Sequence, residues 1–242
     1  MNEIGLDHDI DHLYAVKTTD EVHEKGGKIE EFHSYCDGLP APECSGNPLG
    51  YKFSQSSRGV LLAQLNLASY LSLGNQANID TENLMSHTKP YFIAHVPTFA
   101  FAPHSNRNSV PFGREFYNIP EPHTIHRGNS RYQGFPKFTE TISLISLNST
   151  LIDKIMSVVS FPDKAGASRI FQGFEWIGLF SSDSVKPYAE NLFDIICSRF
   201  EDLMQCERGE RDLVMLQHIF IIGWARGRWS RRHHYINFGK VR

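Results

Sequence analysis

Gly209-Glu-Arg-Asp-Leu-Val-Met-Leu-Gln-His-Ile-Phe220 is a charged turn that runs directly into a long, apolar, β-like segment. The run continues to Trp224, and from Leu213 onward it predicts the strongest strand of the chain. Just upstream, Ala189 to Glu207 carries Leu192, Phe193, Ile196, Phe200, Leu203 and Met204 at helical spacing. Near the amino terminus, Asp9 to Lys25 reads as a helix with Ile10, Leu13 and Tyr14 on one face. Asp9 is placed to cap it and Gly26-Gly27 to end it. From Lys28 to Cys36 a strand follows, and alternation puts Phe32, Ser34 and Cys36 on one face. Prolines make Leu39 to Pro48 an irregular loop. Ser56 or Ser57 caps a helix whose stripe is Val60, Leu61, Leu65, Ala68 and Leu71, ending near Gly74. Tyr91 to Phe101 reads as a strand broken at Pro97. The order helix, strand, helix, strands, helices, strand implies an α+β domain, a mixed sheet with packed helices.

At 242 residues the chain buries a real core, as one domain or one domain with a subdomain. A net charge of −3, with basic residues clustered only from Arg226 to Arg232 before His233 and His234, argues against nucleic acid as a partner. Cys36, Cys44, Cys197 and Cys206 lie far apart with no Cys-x-x-Cys, so a zinc ribbon or redox pair is not indicated and reduced thiols are expected. There is no signal pattern and no apolar run long enough to span a bilayer, so no membrane partner is expected and the protein is read as soluble and cytoplasmic.

Two clusters invite a chemical reading. Asp7-His-Asp-Ile-Asp-His12, joined by His123 and His126, supports a metal-dependent hydrolase. Alternatively, Asp7, Asp9 and Asp11 simply charge a helix start. Arg107 in His104-Ser-Asn-Arg-Asn-Ser109 and Arg131 in Arg127-Gly-Asn-Ser-Arg-Tyr132 are, by spacing alone, ordinary surface residues.

A set of longer motifs runs in order along the chain. They are Gly38-Leu-Pro-Ala-Pro-Glu43, Asn47-Pro-Leu-Gly-Tyr-Lys-Phe53, Ser56-Ser-Arg-Gly-Val-Leu-Leu62, Lys89-Pro-Tyr-Phe-Ile93, Arg131-Tyr-Gln-Gly-Phe-Pro136, Trp176-Ile-Gly-Leu-Phe-Ser181 and the opening stretch itself. Through them the chain resembles the saccharopine dehydrogenases of the NADP-linked, glutamate-forming kind.

The resemblance implies a fold, a reaction and a site. The fold is the carboxy-terminal substrate-binding and dimerisation domain, formed by residues 27–136 and 171–242. Residues 1–26 are a remnant linking strand and helix, and 137–170 a small helical insertion shorter than in relatives. The Rossmann-type nucleotide-binding domain is expected to be absent: Gly26-Gly27 lacks a third glycine, and Gly223 with Gly227 lacks the spacing and the following helix. The chain is therefore read as a truncated form. The reaction joins glutamate to aminoadipate semialdehyde and reduces the imine with NADPH to saccharopine, in the aminoadipate route of lysine synthesis. A homodimer is implied as well.

Implied site residues are Asp7 and Cys36 for catalysis, with Asp7 either in proton transfer or capping the next turn. Gln55, Arg107, Asn129, Ser130 and Arg131 contact substrate, and Leu6, Asp7 and His8 face the cofactor. Guanidinium forks suit a ligand with three carboxylates. Two departures stand out: His8-Asp9 replaces a Pro-Gly pair, and Gln55 replaces a tryptophan that would wall the cleft. A non-catalytic binding or dimerising module is the remaining reading.

Overall fold

The segment that opens the sequence forms β7 (Arg211–Trp224), a 14-residue strand inside an eight-stranded mixed sheet. The computed structural model describes residues 10–88, 91–93, 96–146, 164–181, 192–224 and 228–241. β7 is flanked antiparallel by β1 (Lys28–Pro40) and β8 (Arg228–Val241), and Met215, Leu216, Phe220 and Ile222 along it are buried. Such paired neighbours explain its near-continuous apolar content.

On its other side β1 runs parallel to β6 (Thr124–Tyr132), in register from Glu31 opposite Thr124 to Tyr35 opposite Gly128. The outer edge of β6 is shared. Its first half meets β2 (Ala68–Ser72) at Leu71 opposite Ile125, and its second half pairs with β5 (Val96–Ser105) from Ser105 opposite Gly128 to Phe101 opposite Tyr132. β3 (Asn75–Ile79) and β4 (Tyr91–Ile93) close hairpins with β2 and β5.

The first helix, α1 (Asp11–Glu24), lies on one sheet face, where Ala15 and Val22 pack with Phe32, Ile125, Phe220 and Ile222. Its buried side is Asp11, Ala15, Thr18, Thr19 and Val22, not the expected Ile10–Leu13–Tyr14 stripe. Leu13 is 68% exposed, because small residues rather than large ones let the helix settle close on the sheet. Asp9, the expected cap, lies outside the described residues. A second core gathers α2 (Ser57–Ala63), α3 (Phe135–Ser146), α4 (Lys164–Trp176) and α5 (Leu192–Leu203) around Tyr51, Phe53, Phe138, Phe174 and Phe200. Much of the expected insertion, 147–163, lies outside the described residues. No disulfide joins the four cysteines.

Three further expectations are corrected. β1 continues through Leu39 and Pro40, which pair with Leu213 and Asp212. Proline is tolerated there because β6 has already left the other edge of β1, so its missing N–H breaks no ladder on that side. Ser56 does cap α2, accepting from the Gly59 amide at 3.2 Å, but the helix stops at Ala63. Ala68 and Leu71 belong instead to the β2–β3 hairpin, turned by Leu73 and Gly74, both at positive φ (49° and 81°) as a primed two-residue turn requires. The break expected at Pro97 falls before it, between Ile93 and Val96, and Pro97 sits within β5.

Gly128 is held by close approach. A Cβ there would lie 2.3 Å from the His104 carbonyl oxygen of β5, a backbone atom that cannot swing aside. Gly128→Ala should therefore cost about 3 kcal/mol or more as β5 is pushed off β6, measured by urea denaturation. A loss under about 1 kcal/mol would show that the two strands separate readily.

Candidate functional site

Alternation divides the Arg127–Tyr132 motif of β6. Arg127 points to the α1 face with Ile125, while His126 points to the other with Tyr35. The start of α1 is pinned on its face. The fully buried Asp11 carboxylate meets Arg127 Nη2 at 3.2 Å, and His218 Nε2 donates to the Asp11 carbonyl at 2.9 Å. Arg127 in turn lies 3.7 Å over the Phe112 ring, in the one-turn π-helix Phe112–Phe116. α1 begins here.

The two parallel strands stop pairing after Tyr35 and Gly128. Just past that point Asp37 bridges them: its carboxylate is ion-paired with the Arg131 guanidinium and accepts from Asn129 Nδ2 at 3.0 Å. Arg131 Nη1 also donates to the Ser130 carbonyl at 3.1 Å, so Ser130 reaches this cluster through its backbone. Cys36 is buried beside β7, opposite Leu216. The Ser54 hydroxyl donates to the Gly38 carbonyl at 3.4 Å and brings the exposed Gln55 to the carboxyl end of β1.

His104 was not singled out by sequence, and it stands opposite Asn129 in the β5–β6 ladder. Burial pushes its imidazole down to about 4, so it is neutral at physiological pH, and its Nδ1 has no hydrogen-bond partner among the described residues. No motif marks a lone histidine in a strand. The signal available was its period-two match to Ala102, which requires the strand register to be known.

Arg107 lies apart from Arg131. It occupies the turn after β5 at φ 48°, is exposed, and its carbonyl accepts from the Ser69 amide at 2.9 Å. Asn106 N–H donates to the Arg127 carbonyl, which sets this turn four residues, or about 14 Å along β6, from Arg131. Leu6, Asp7 and His8 lie outside the described residues.

On the opposite face His126 is held by the Tyr35 hydroxyl at Nδ1 (3.2 Å) and by Ser105 at Nε2 (2.7 Å), with the Tyr70 ring 4.7 Å away. Burial first, and then the neighbouring His33, push it down to about 4. Because Arg127 and His126 are consecutive on a strand, Asp11 and His126 are on opposite sides of the sheet. His12 packs against Phe112, Phe116 and Tyr117, and His123 Nδ1 lies 3.0 Å from the Thr124 hydroxyl. Among the described residues no group of three His, Cys, Asp or Glu is placed to hold a metal ion, and no helix is long and apolar enough to cross a membrane.

The described residues also do not fit a dinucleotide. Gly26-Gly27 links a helix to a strand, the reverse of a phosphate cradle, and Gly223 lies within β7. A shallow cavity lined by His23, Lys28 and Glu121 sits at the amino end of β1, away from Cys36 and Arg131.

Fold and geometry together define an α+β domain with a polar floor at the open end of its parallel strand pair. The profile of the saccharopine dehydrogenase C-terminal domain matches residues 5–240, and the chain belongs to that family. It is 46% identical to saccharopine dehydrogenase [NADP(+), L-glutamate-forming] of Saccharomyces cerevisiae over 271 residues, covering 100% of this chain and 60% of the relative. The Schizosaccharomyces pombe protein of the same description is 46% identical over 264 residues, covering 96% and 58%. The solved apo histidine-tagged saccharopine dehydrogenase (L-Glu forming) from S. cerevisiae aligns with a TM-score of 0.88 at 45% identity, over 99% of this chain and 60% of that one. The chain thus spans about 60% of the length of these relatives.

Proposed function

We propose that this chain supplies the substrate-binding part of an NADP-linked saccharopine dehydrogenase acting in lysine synthesis, with saccharopine, glutamate and aminoadipate semialdehyde as its ligands. The observation that carries the reading is the pair of arginines on one strand and its neighbouring turn. Arg131 lies at the carboxyl end of the β1–β6 parallel pair, joined with Asn129 to Asp37, and the exposed Arg107 lies about 14 Å away along β6. A linear ligand with a carboxylate at its Arg107 end and polar groups reaching the Arg131–Asn129 end suits that separation.

In this reading Arg107 binds and orients a carboxylate, and Asn129 and the neutral His104 offer hydrogen bonds to the middle of the ligand. NADPH, when bound, would supply the hydride. Asp7 for proton transfer, Cys36 near the reacting centre, Gln55 and Ser130 at the substrate, and Leu6, Asp7 and His8 at the cofactor complete the assignment. A homodimer in the cytoplasm is part of the proposal, supported by the family and by the half-exposed aromatic surface of His33, Tyr35, Tyr70 and His126. Sedimentation equilibrium tests the dimer.

Arg107→Gln tests the ligand reading. Calorimetric titration with saccharopine should show at least about tenfold weaker binding. The melting temperature should not move, because the Arg107 side chain is exposed and has no partner among the described residues. Unchanged affinity would remove Arg107 from the site.

A further inference from the structure

We infer that Asp37 is a resident carboxylate in the anion subsite: it occupies the place of a ligand carboxylate on Arg131 and Asn129 and so determines which ligands the site prefers. The inference rests on the reading of Arg131 and Asn129 as substrate contacts. Asp37 uses both of those side chains, through the ion pair with Arg131 and the 3.0 Å bond from Asn129 Nδ2. The pair is nearly sealed, with Asp37 4% and Arg131 3% exposed, so solvent screens it little. It lies where the two parallel strands part, two residues beyond Tyr35, at the crevice where ligands enter sheets of parallel strands.

The consequence for specificity follows from charge. A guanidinium already matched by a carboxylate presents no net charge, and a second carboxylate brought to it meets the first at close range with little water between them. The subsite therefore favours a ligand whose group at this position is neutral or basic over one that is anionic. Arg107 remains the cation that takes a ligand carboxylate. Among amino-acid conjugates, the preferred class carries one carboxylate fewer at the Arg131 end than saccharopine does.

The test compares the full chain with Asp37→Asn, which keeps the shape and the contact with Asn129 but removes the charge. Calorimetric titration with saccharopine should give binding at least about tenfold tighter in Asp37→Asn, and the gain should vanish in Asp37→Asn/Arg131→Met. Equal or weaker binding in Asp37→Asn overturns the inference. If neither protein binds saccharopine, acetate decides: it should raise the melting temperature of Asp37→Gly, whose missing carboxylate it replaces, and not that of the parent or of Asp37→Gly/Arg131→Met. That response without saccharopine binding would retain the resident carboxylate and reject the saccharopine reading. Its absence overturns the inference. Should Asp37→Gly fail to fold, the acetate comparison is made on Asp37→Ser.

Discussion

Lowering the pH from about 7.5 to about 4.5 should destabilise the fold by about 4 kcal/mol, most of it from two histidines, one buried and one half-buried. His104 and His126 both titrate at about 4 in the folded protein, against about 6.5 when unfolded. The unfolded chain therefore binds protons first. The stabilising contribution is fully present above about 6.5, declines as pH falls through the window, and is gone below about 4. Each pH unit costs at most about 1.4 kcal/mol per histidine. His104, with burial as the cause, contributes about 3 kcal/mol over the whole window; His126 retains some exposure and contributes less. Urea denaturation at half-unit pH steps reads the profile directly. His104→Asn should flatten it by roughly half, since asparagine does not titrate. A parent protein equally stable at both ends of the window would show that neither ring is protected from protonation.

Asp11→Ala should cost about 3–5 kcal/mol. The Asp11 carboxylate is wholly buried, and its removal leaves the Arg127 guanidinium charged against Phe112 without its counterion. The loss also loosens the start of α1, where the Asp11 carbonyl receives the His218 bond. Adding Arg127→Met should recover much of the stability, because an apolar side chain removes the uncompensated charge and still packs on Phe112. Guanidinium denaturation of the parent, both single variants and the double variant gives the coupling. If the double variant is no more stable than Asp11→Ala alone, the pair is not the source of the loss.

The legible parts of the fold were those in which a local pattern matched the final environment. β7 has two paired neighbours and reads as a near-continuous apolar sequence; Phe32 and Cys36 alternate into the core as a strand must. The first helix was legible as a helix, but its contact face was not. Thr18 and Thr19 are buried and Leu13 is exposed, which reverses the usual weighting of side-chain size. The stripe Val60–Leu71 fitted helical spacing by coincidence, and the decisive signal was the turn at Leu73-Gly74 rather than the apolar residues. Arg107, Asn129 and Arg131 were singled out through motifs. Asp37 escaped notice although it adjoins Cys36, because its partner lies on another strand and no local pattern encodes that meeting.

The shared outer edge of β6 gives the domain an unequal fork. One tine, β5, is laddered to β6 over the Phe101–Ser105 stretch; the other, the β2–β3 hairpin, is joined at Leu71 and Ile125. The turn bearing Arg107 hangs between them, tied by its carbonyl to Ser69 on the looser tine and through Asn106 to β6. Arg131, by contrast, is rooted among the buried residues at the fork's base. The two guanidinium groups thus stand on different footings: one is an anvil set in the core, the other a jaw on an exposed turn that spans both tines.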